Sequence, residues 1–247
     1  MAETVYAVAQ IQSYRENFTK NLDTHLRYIK MAAEQNADFI LFPELSLTGY
    51  ERELAANQSF TADAPQLDVL AQAAIEYHMV IVAGGPLRIE NSLYIASWVF
   101  MPDGKKLNYI KKFLHPGEDL FFESRKDYDP MLLLNGERIS FAICFDLEND
   151  EHIKKAVELN TSMYTASIFY SRNGISHGLQ RLQQLAKQYH IPVLMSNYCG
   201  TCWDMEAGGS SSIWSEYGEI VVAAEGDTPC LLIAEQKEDV WQGRIVF

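Results

Sequence analysis

A chain of 247 residues that is 48% hydrophobic holds enough apolar surface for one sizeable core, and 33 acidic against 20 basic residues leave a net charge of -13. That charge repels phosphate backbones and anionic headgroups, so neither nucleic acid nor a membrane surface is an expected partner. No apolar run approaches the ~20 residues of a membrane-spanning helix, no leader pattern opens the chain, and a cytoplasmic location is the expectation.

Val5 to Ile11 has a strand pattern, and Asn21 to Asn36 carries Leu22, Leu26, Ile29 and Ala33 at helical spacing before the apolar run Phe39 to Phe42. Leu67 to Tyr77 repeats the helical spacing. Val80 to Ala83 follows as a short strand that Gly84-Gly85-Pro86 is expected to close. Ser92 to Phe100 and Lys106 to Lys112 then flank Pro102-Asp103-Gly104, which is hairpin chemistry. The second half repeats this order: strand Ile139 to Phe145, helix His152 to Leu159, strand Met163 to Ser167, helix Ile175 to Tyr189 and strand Val193 to Ser196. Ser211 to Trp214 and Ile220 to Ala224 form its hairpin, and Cys230 to Ala234 is a last strand.

Two halves of like order predict an α/β fold, a pseudo-symmetric sandwich with two mixed sheets inside and helices outside. No Pro/Gly/Ser-rich or charged linker divides them, so residues 1–247 are expected to form a single domain.

Cys144, Cys199, Cys202 and Cys230 are too few and too unevenly spaced for a disulfide framework. Cys199-Gly200-Thr201-Cys202 matches C-x-x-C, but no second pair of similar spacing exists, so it reads as two buried small hydrophobes; no metal site is expected.

Cys144 ends an apolar run, where a strand delivers a side chain into a turn whose N–H groups can bind an oxyanion. Glu44 in Leu41-Phe42-Pro43-Glu44-Leu45 follows another apolar run and would be a partly desolvated base. Lys111 and Lys112 end the first hairpin, and strand alternation points one inward and the other outward.

In chain order these read Phe42-Pro43-Glu44 with Gly49-Tyr50, then Tyr109-x-Lys111-x-x-Leu114 into Pro116-Gly117-Glu118, then Ile143-Cys144-Phe145-Asp146-Leu147. Ser196-Asn197, Gly208 to Ile213 and Tyr217-Gly218-Glu219 continue the set, which resembles the Glu, Lys, Cys motifs of the nitrilase superfamily over nearly the whole chain. The resemblance implies a four-layer α-β-β-α sandwich, a homodimer or larger homo-oligomer, and no cofactor. By position it makes Glu44 the base, Lys111 the cationic partner of the tetrahedral intermediate, Cys144 the nucleophile and Glu118 an additional glutamate. One segment departs from the common pattern: Glu148, Asn149, Asp150 and Glu151 stand where many members have Arg, an aromatic, Pro and Glu.

Phe145, Phe169 and Tyr170 are candidate substrate contacts, with Arg172 as an anchor for a substrate carboxylate; Phe121, Phe122 and Trp203 are further pocket candidates against a core-packing alternative. A papain-like pairing of Cys144 with His152 or His177 lacks its local signature, and His115 and His190 read as surface or packing residues. Gly84-Gly85-Pro86 lacks the spacing of a phosphate loop. The expected activity is hydrolysis of a small linear amide through a cysteine thioester. Nitrile hydrolysis or acyl transfer is the enzymatic alternative, and a catalytically silent binding or scaffold protein the alternative from another class.

Overall fold

The computed structural model describes residues 3–247. Along the first half run β1 (Val5–Gln10), α1 (Phe18–Glu34), β2 (Phe39–Leu41), α2 (Asp68–Glu76), β3 (Val80–Ile89), β4 (Ser92–Phe100) and β5 (Lys106–Ile110). The second half has β6 (Leu132–Leu134), β7 (Glu137–Ile143), α3 (Asp150–Glu158), β8 (Met163–Ser167), α4 (Ile175–Tyr189) and β9 (Val193–Ser196). It continues with β10 (Thr201–Cys202), β11 (Met205–Glu206), β12 (Ser212–Trp214), β13 (Ile220–Ala223), β14 (Cys230–Lys237) and β15 (Val240–Val246).

One sheet has the order β15-β14-β1-β2-β3-β4-β5 and the other β13-β12-β9-β8-β7-β6. In the first, β1, β2 and β3 are parallel and β4 and β5 follow antiparallel. In the second, β7, β8 and β9 are parallel and β12 and β13 follow antiparallel. The repeated pattern of three parallel and two antiparallel strands is the expected internal two-fold.

Period-two alternation builds the layers. Tyr6, Val8, Phe39, Leu41, Val80 and Val82 join Phe141, Ile143, Tyr164 and Leu194 of the second sheet in one core. Their neighbours Ala7, Ala9, Ile40, Ile81 and Ala83 pack with Tyr28, Ile29 and Ala32 of α1 and Leu70 and Ala74 of α2. With α3 and α4 adding Ile153, Leu182 and Leu185, the result is the α-β-β-α sandwich. Ser167 Oγ donates to the Phe42 carbonyl at 2.8 Å and Ser196 Oγ to that of Ala9 at 2.6 Å, which ties the sheets at their strand ends.

Two expectations are corrected here, and some short elements were missed. Gly84-Gly85-Pro86 does not close a strand, since β3 continues to Ile89. A Cβ on Gly84 would lie 2.3 Å from both Pro43 O and Leu45 N, so this glycine serves a close backbone approach rather than a turn. Pro86 is tolerated because its carbonyl faces the side beyond the end of β2, where Phe60 N donates to it and no proline N–H is needed. The strand at Ile139 stops at Ile143, before Cys144. The hairpins β10-β11 and β14-β15 and the short β6 were not legible: the first two-stranded unit is only two residues per strand, and β15 lacks a clean alternation. No helix among the described residues is long and apolar enough to cross a membrane.

Candidate active site

β2, β5 and β7 all end at the same rim of the sandwich, and each end carries one of the expected residues. Glu44 sits three residues past β2 in a tight turn in which Ser46 N donates to Pro43 O. Ser46 Oγ accepts from Gly84 N at 3.2 Å and meets His25 Nε2 at 2.9 Å, while His25 Nδ1 lies 2.7 Å from the Asn21 carbonyl. A carbonyl only accepts, so Nδ1 carries the proton and Ser46 donates to Nε2. Burial lowers the His25 pKa to about 4, which keeps this neutral prop in place at working pH. Tyr198 donates its hydroxyl to the Glu44 carbonyl from the other half of the chain.

Lys111 directly follows β5 and is fully buried. Its Nζ donates to Glu44 Oε1 at 2.7 Å and to Glu118 Oε1 at 2.8 Å. Glu118 is held in turn by the Tyr50 hydroxyl at 2.6 Å and by His115 N at 2.7 Å. Glu44 Oε2 is buried with no hydrogen-bond partner. A buried carboxylate oxygen without a partner is a cost unless it has a task, and the nearby Cys144 thiol is directed at the Phe169 carbonyl, 3.9 Å away.

Cys144 follows β7 at φ of 45°, a left-handed backbone that a non-glycine residue adopts only under constraint, and it opens a single 3-10 turn, Cys144–Glu148. The constraint is Asp146. Its Oδ2 accepts from Ile143 N at 2.9 Å and Tyr109 OH at 2.6 Å, and its Oδ1 from Lys112 N at 3.0 Å and Phe113 N at 2.9 Å. One buried carboxylate thereby fixes the Cys144 turn to the Lys111 segment.

The electrostatics separate the roles. Burial pushes Glu44 up to about 7, with the Glu118 charge adding to the rise and Lys111 opposing it. Burial by itself would lower Lys111, but Glu44, Cys144 and Glu118 together hold it above its ordinary range and so charged. Burial and the neighbouring Glu44 push the Cys144 thiol well up, with Lys111 opposing. The resting arrangement is a neutral thiol beside an ammonium and a carboxylate that titrates near neutrality.

A cavity of about 650 Å³ opens over Cys144. Phe145, Phe169 and Tyr170 line it as expected, and so does Trp203; Tyr50, Glu148, His115 and His177 also line it and were missed as pocket residues. Tyr50 lay within the Gly49-Tyr50 fragment, and Asp146 within the cysteine motif, so both had a sequence signal. Asn197 holds the Phe169–Tyr170 wall, accepting from Tyr170 N at 2.9 Å and donating to Tyr170 O at 3.1 Å.

Arg172 does not line the cavity: it is exposed, its backbone N–H donates to the Glu206 carbonyl at 2.9 Å, and its Nη1 lies 2.7 Å from the Glu206 carboxylate. Phe121 and Phe122 pack on the core instead of lining the cavity. Lys112 does not point to solvent; β5 has ended at Ile110, the alternation lapses, and Lys112 is buried and paired with Asp129. His152 is enclosed between Tyr109 and Tyr164, each 2.6 Å from a ring nitrogen, and is no partner of Cys144. His115, expected at the surface or in packing, stands edge-on to Phe145 at the cavity wall, and His190 takes a left-handed backbone at the end of α4. Cys199 and Cys202 are buried, which pushes each thiol up to about 12. Among the described residues no group of three or more His, Cys, Asp or Glu is arranged to hold a metal ion.

Fold and site together define a hydrolase of the nitrilase type. Residues 6–244 match the carbon-nitrogen hydrolase family, and the chain belongs to it. It is 27% identical over 230 residues to a glutamine-dependent NAD(+) synthetase of Acinetobacter baylyi, covering 88% of this chain and 41% of that one. An arylacetonitrilase of Aspergillus niger is 28% identical over 148 residues, 54% of this chain and 44% of that one. The chain thus spans less than half the length of these curated relatives. A mutant of the amidase from Nesterenkonia sp. AN1 in complex with butyramide shares the fold, with a TM-score of 0.87 at 22% identity over 96% of this chain and 92% of that one.

Proposed function

We propose that this protein hydrolyses a small linear amide through a thioester on Cys144. The observation that carries this reading is the buried Lys111 ammonium bridging Glu44 and Glu118 beside a nucleophile-bearing turn, with the free Glu44 oxygen left for the thiol proton. As Sγ attacks the amide carbon, Glu44 takes its proton, and Lys111 Nζ with a backbone N–H at Phe145 binds the developing oxyanion. The tetrahedral intermediate collapses by breaking the C–N bond, and Glu44 returns the proton to the leaving nitrogen, so ammonia departs. A water molecule then gives a proton to Glu44 and its oxygen to the thioester carbon. The C–S bond breaks, the thiol is restored, and the net change is amide plus water to carboxylate and ammonium.

Glu118 acts as the second anchor of Lys111, holding Nζ between two carboxylates so that it has little freedom to reorient. Family membership and a largely apolar cavity over the thiol support the reading. The test is ammonia release from a panel of amides and nitriles, with Cys144→Ala as the blank. Cys144→Ala is expected to abolish release while melting as the parent does, because it deletes the covalent route and only a small side-chain volume. Release near the parent rate from that variant would refute the mechanism.

A further inference from the structure

We infer that the site selects amides whose acyl chain ends in a positive charge, with Glu148 as the counter-charge; this rests on the amide hydrolysis proposed above. Cys144 and Glu148 are the first and last residues of one 3-10 turn, and both line the same cavity. At a rise of ~2 Å per residue their backbones lie ~8 Å apart along the turn, which is the span of a short aliphatic spacer. Phe145, Phe169 and Tyr170 supply apolar wall for such a spacer.

Among the described residues Glu148 is the one carboxylate that lines the cavity, while the Arg52 guanidinium lies 3.8 Å over the Trp203 ring of its wall. Among the described residues no lysine or arginine lines the cavity. Beneath it, the Lys111 ammonium is already shared by two carboxylates. Arg172 is turned out to Glu206, and Arg181 is engaged by the Leu147 carbonyl at 2.8 Å and Asp150 at 2.5 Å. Among the described residues the polar partner of the Glu148 carboxylate is His177 Nε2, at 3.2 Å, and that histidine is 70% exposed, so water screens the pair and leaves the carboxylate free for a better-placed cation. A substrate ammonium there donates to Glu148 inside a largely apolar pocket, whereas a carboxylate at that end meets the like charge of Glu148.

The experiment compares kcat/KM for three amides of similar length: 6-aminohexanamide, its neutral isostere heptanamide, and the anionic adipamic acid. The parent is expected to favour 6-aminohexanamide over heptanamide by about tenfold or more and to use adipamic acid least. In Glu148→Gln the ratio of the first two should fall toward one through KM of the cationic amide, and in Glu148→Lys adipamic acid should overtake 6-aminohexanamide. Each ratio is internal to one preparation, so a poorly folded fraction does not alter it. A parent ratio near one, or a ratio that Glu148→Gln leaves unchanged, overturns the charge selection while leaving hydrolysis standing. Ammonia from none of the three amides would instead overturn hydrolysis and the selection with it.

Discussion

A general base works best when its pKa lies near the working pH, and burial brings Glu44 to about 7. The shift is upward, so Glu44 holds a proton below that value and is competent only above it. kcat/KM is therefore expected to rise with pH through about 7 and to fall about tenfold per unit on the acid side. A profile flat across this interval would remove Glu44 as the base. The two adjacent lysines separate more sharply than strand alternation suggests. Lys111→Ala deletes the cation that the proposed mechanism puts at the oxyanion and should cost on the order of 10²-fold or more in kcat. Lys112→Ala strands Asp129 in a partly buried position, so it should cost about 1–3 kcal/mol of stability with kcat little changed. Parallel measurement of kcat and urea midpoint distinguishes them, and the reverse ranking would assign the oxyanion to Lys112.

Turns, more than strands, carry the chemistry. Each of β2, β5 and β7 delivers the chain to the rim, but the conformation beyond the rim depends on buried polar groups: Ser46 and His25 under the Glu44 turn, and Asp146 between the Cys144 and Lys111 segments. Asp146→Asn keeps the shape but turns one acceptor oxygen into a donor, facing either the two N–H groups at Lys112 and Phe113 or Ile143 N and the Tyr109 hydroxyl. It should lower stability by about 1–3 kcal/mol and reduce kcat more than it raises KM, since it moves catalytic groups without touching the cavity wall. An Asn variant with parental kcat and thermal midpoint would show that the Cys144 turn holds itself.

The sandwich as assembled buries its apolar faces between the sheets and under the helices, and the chain carries a net charge of -13, most of it from exposed acidic residues. Self-repulsion of that charge opposes the compact state and is screened over ~8 Å at physiological ionic strength. Raising sodium chloride from about 0.01 M to about 0.15 M should therefore raise the thermal midpoint, because the Debye length shrinks from ~30 Å to ~8 Å. The buried Lys111 pairs lie beyond the reach of salt, so a midpoint that falls would mean that surface ion pairs such as Lys106–Asp68 outweigh the repulsion.

Hydrophobic period and turn residues were enough to read the α/β halves and the two mixed sheets, because periodicity and local turn chemistry act over a few residues; Glu44, Lys111, Cys144 and Glu118 were singled out by the resemblance of the ordered fragments to a known family. What lay beyond them required distant segments to meet. Gly84 looks like a breaker until Pro43 and Leu45 press against it from the neighbouring strand end. Arg172 looks like an anchor until the loop turns it toward Glu206, and Lys112 looks exposed until Asp129 closes over it. Glu148 and His177 become cavity residues only when the Cys144 turn and α4 are packed side by side. Side-chain direction beyond a strand end is set by contacts from elements far along the chain, and only the tertiary structure decides those.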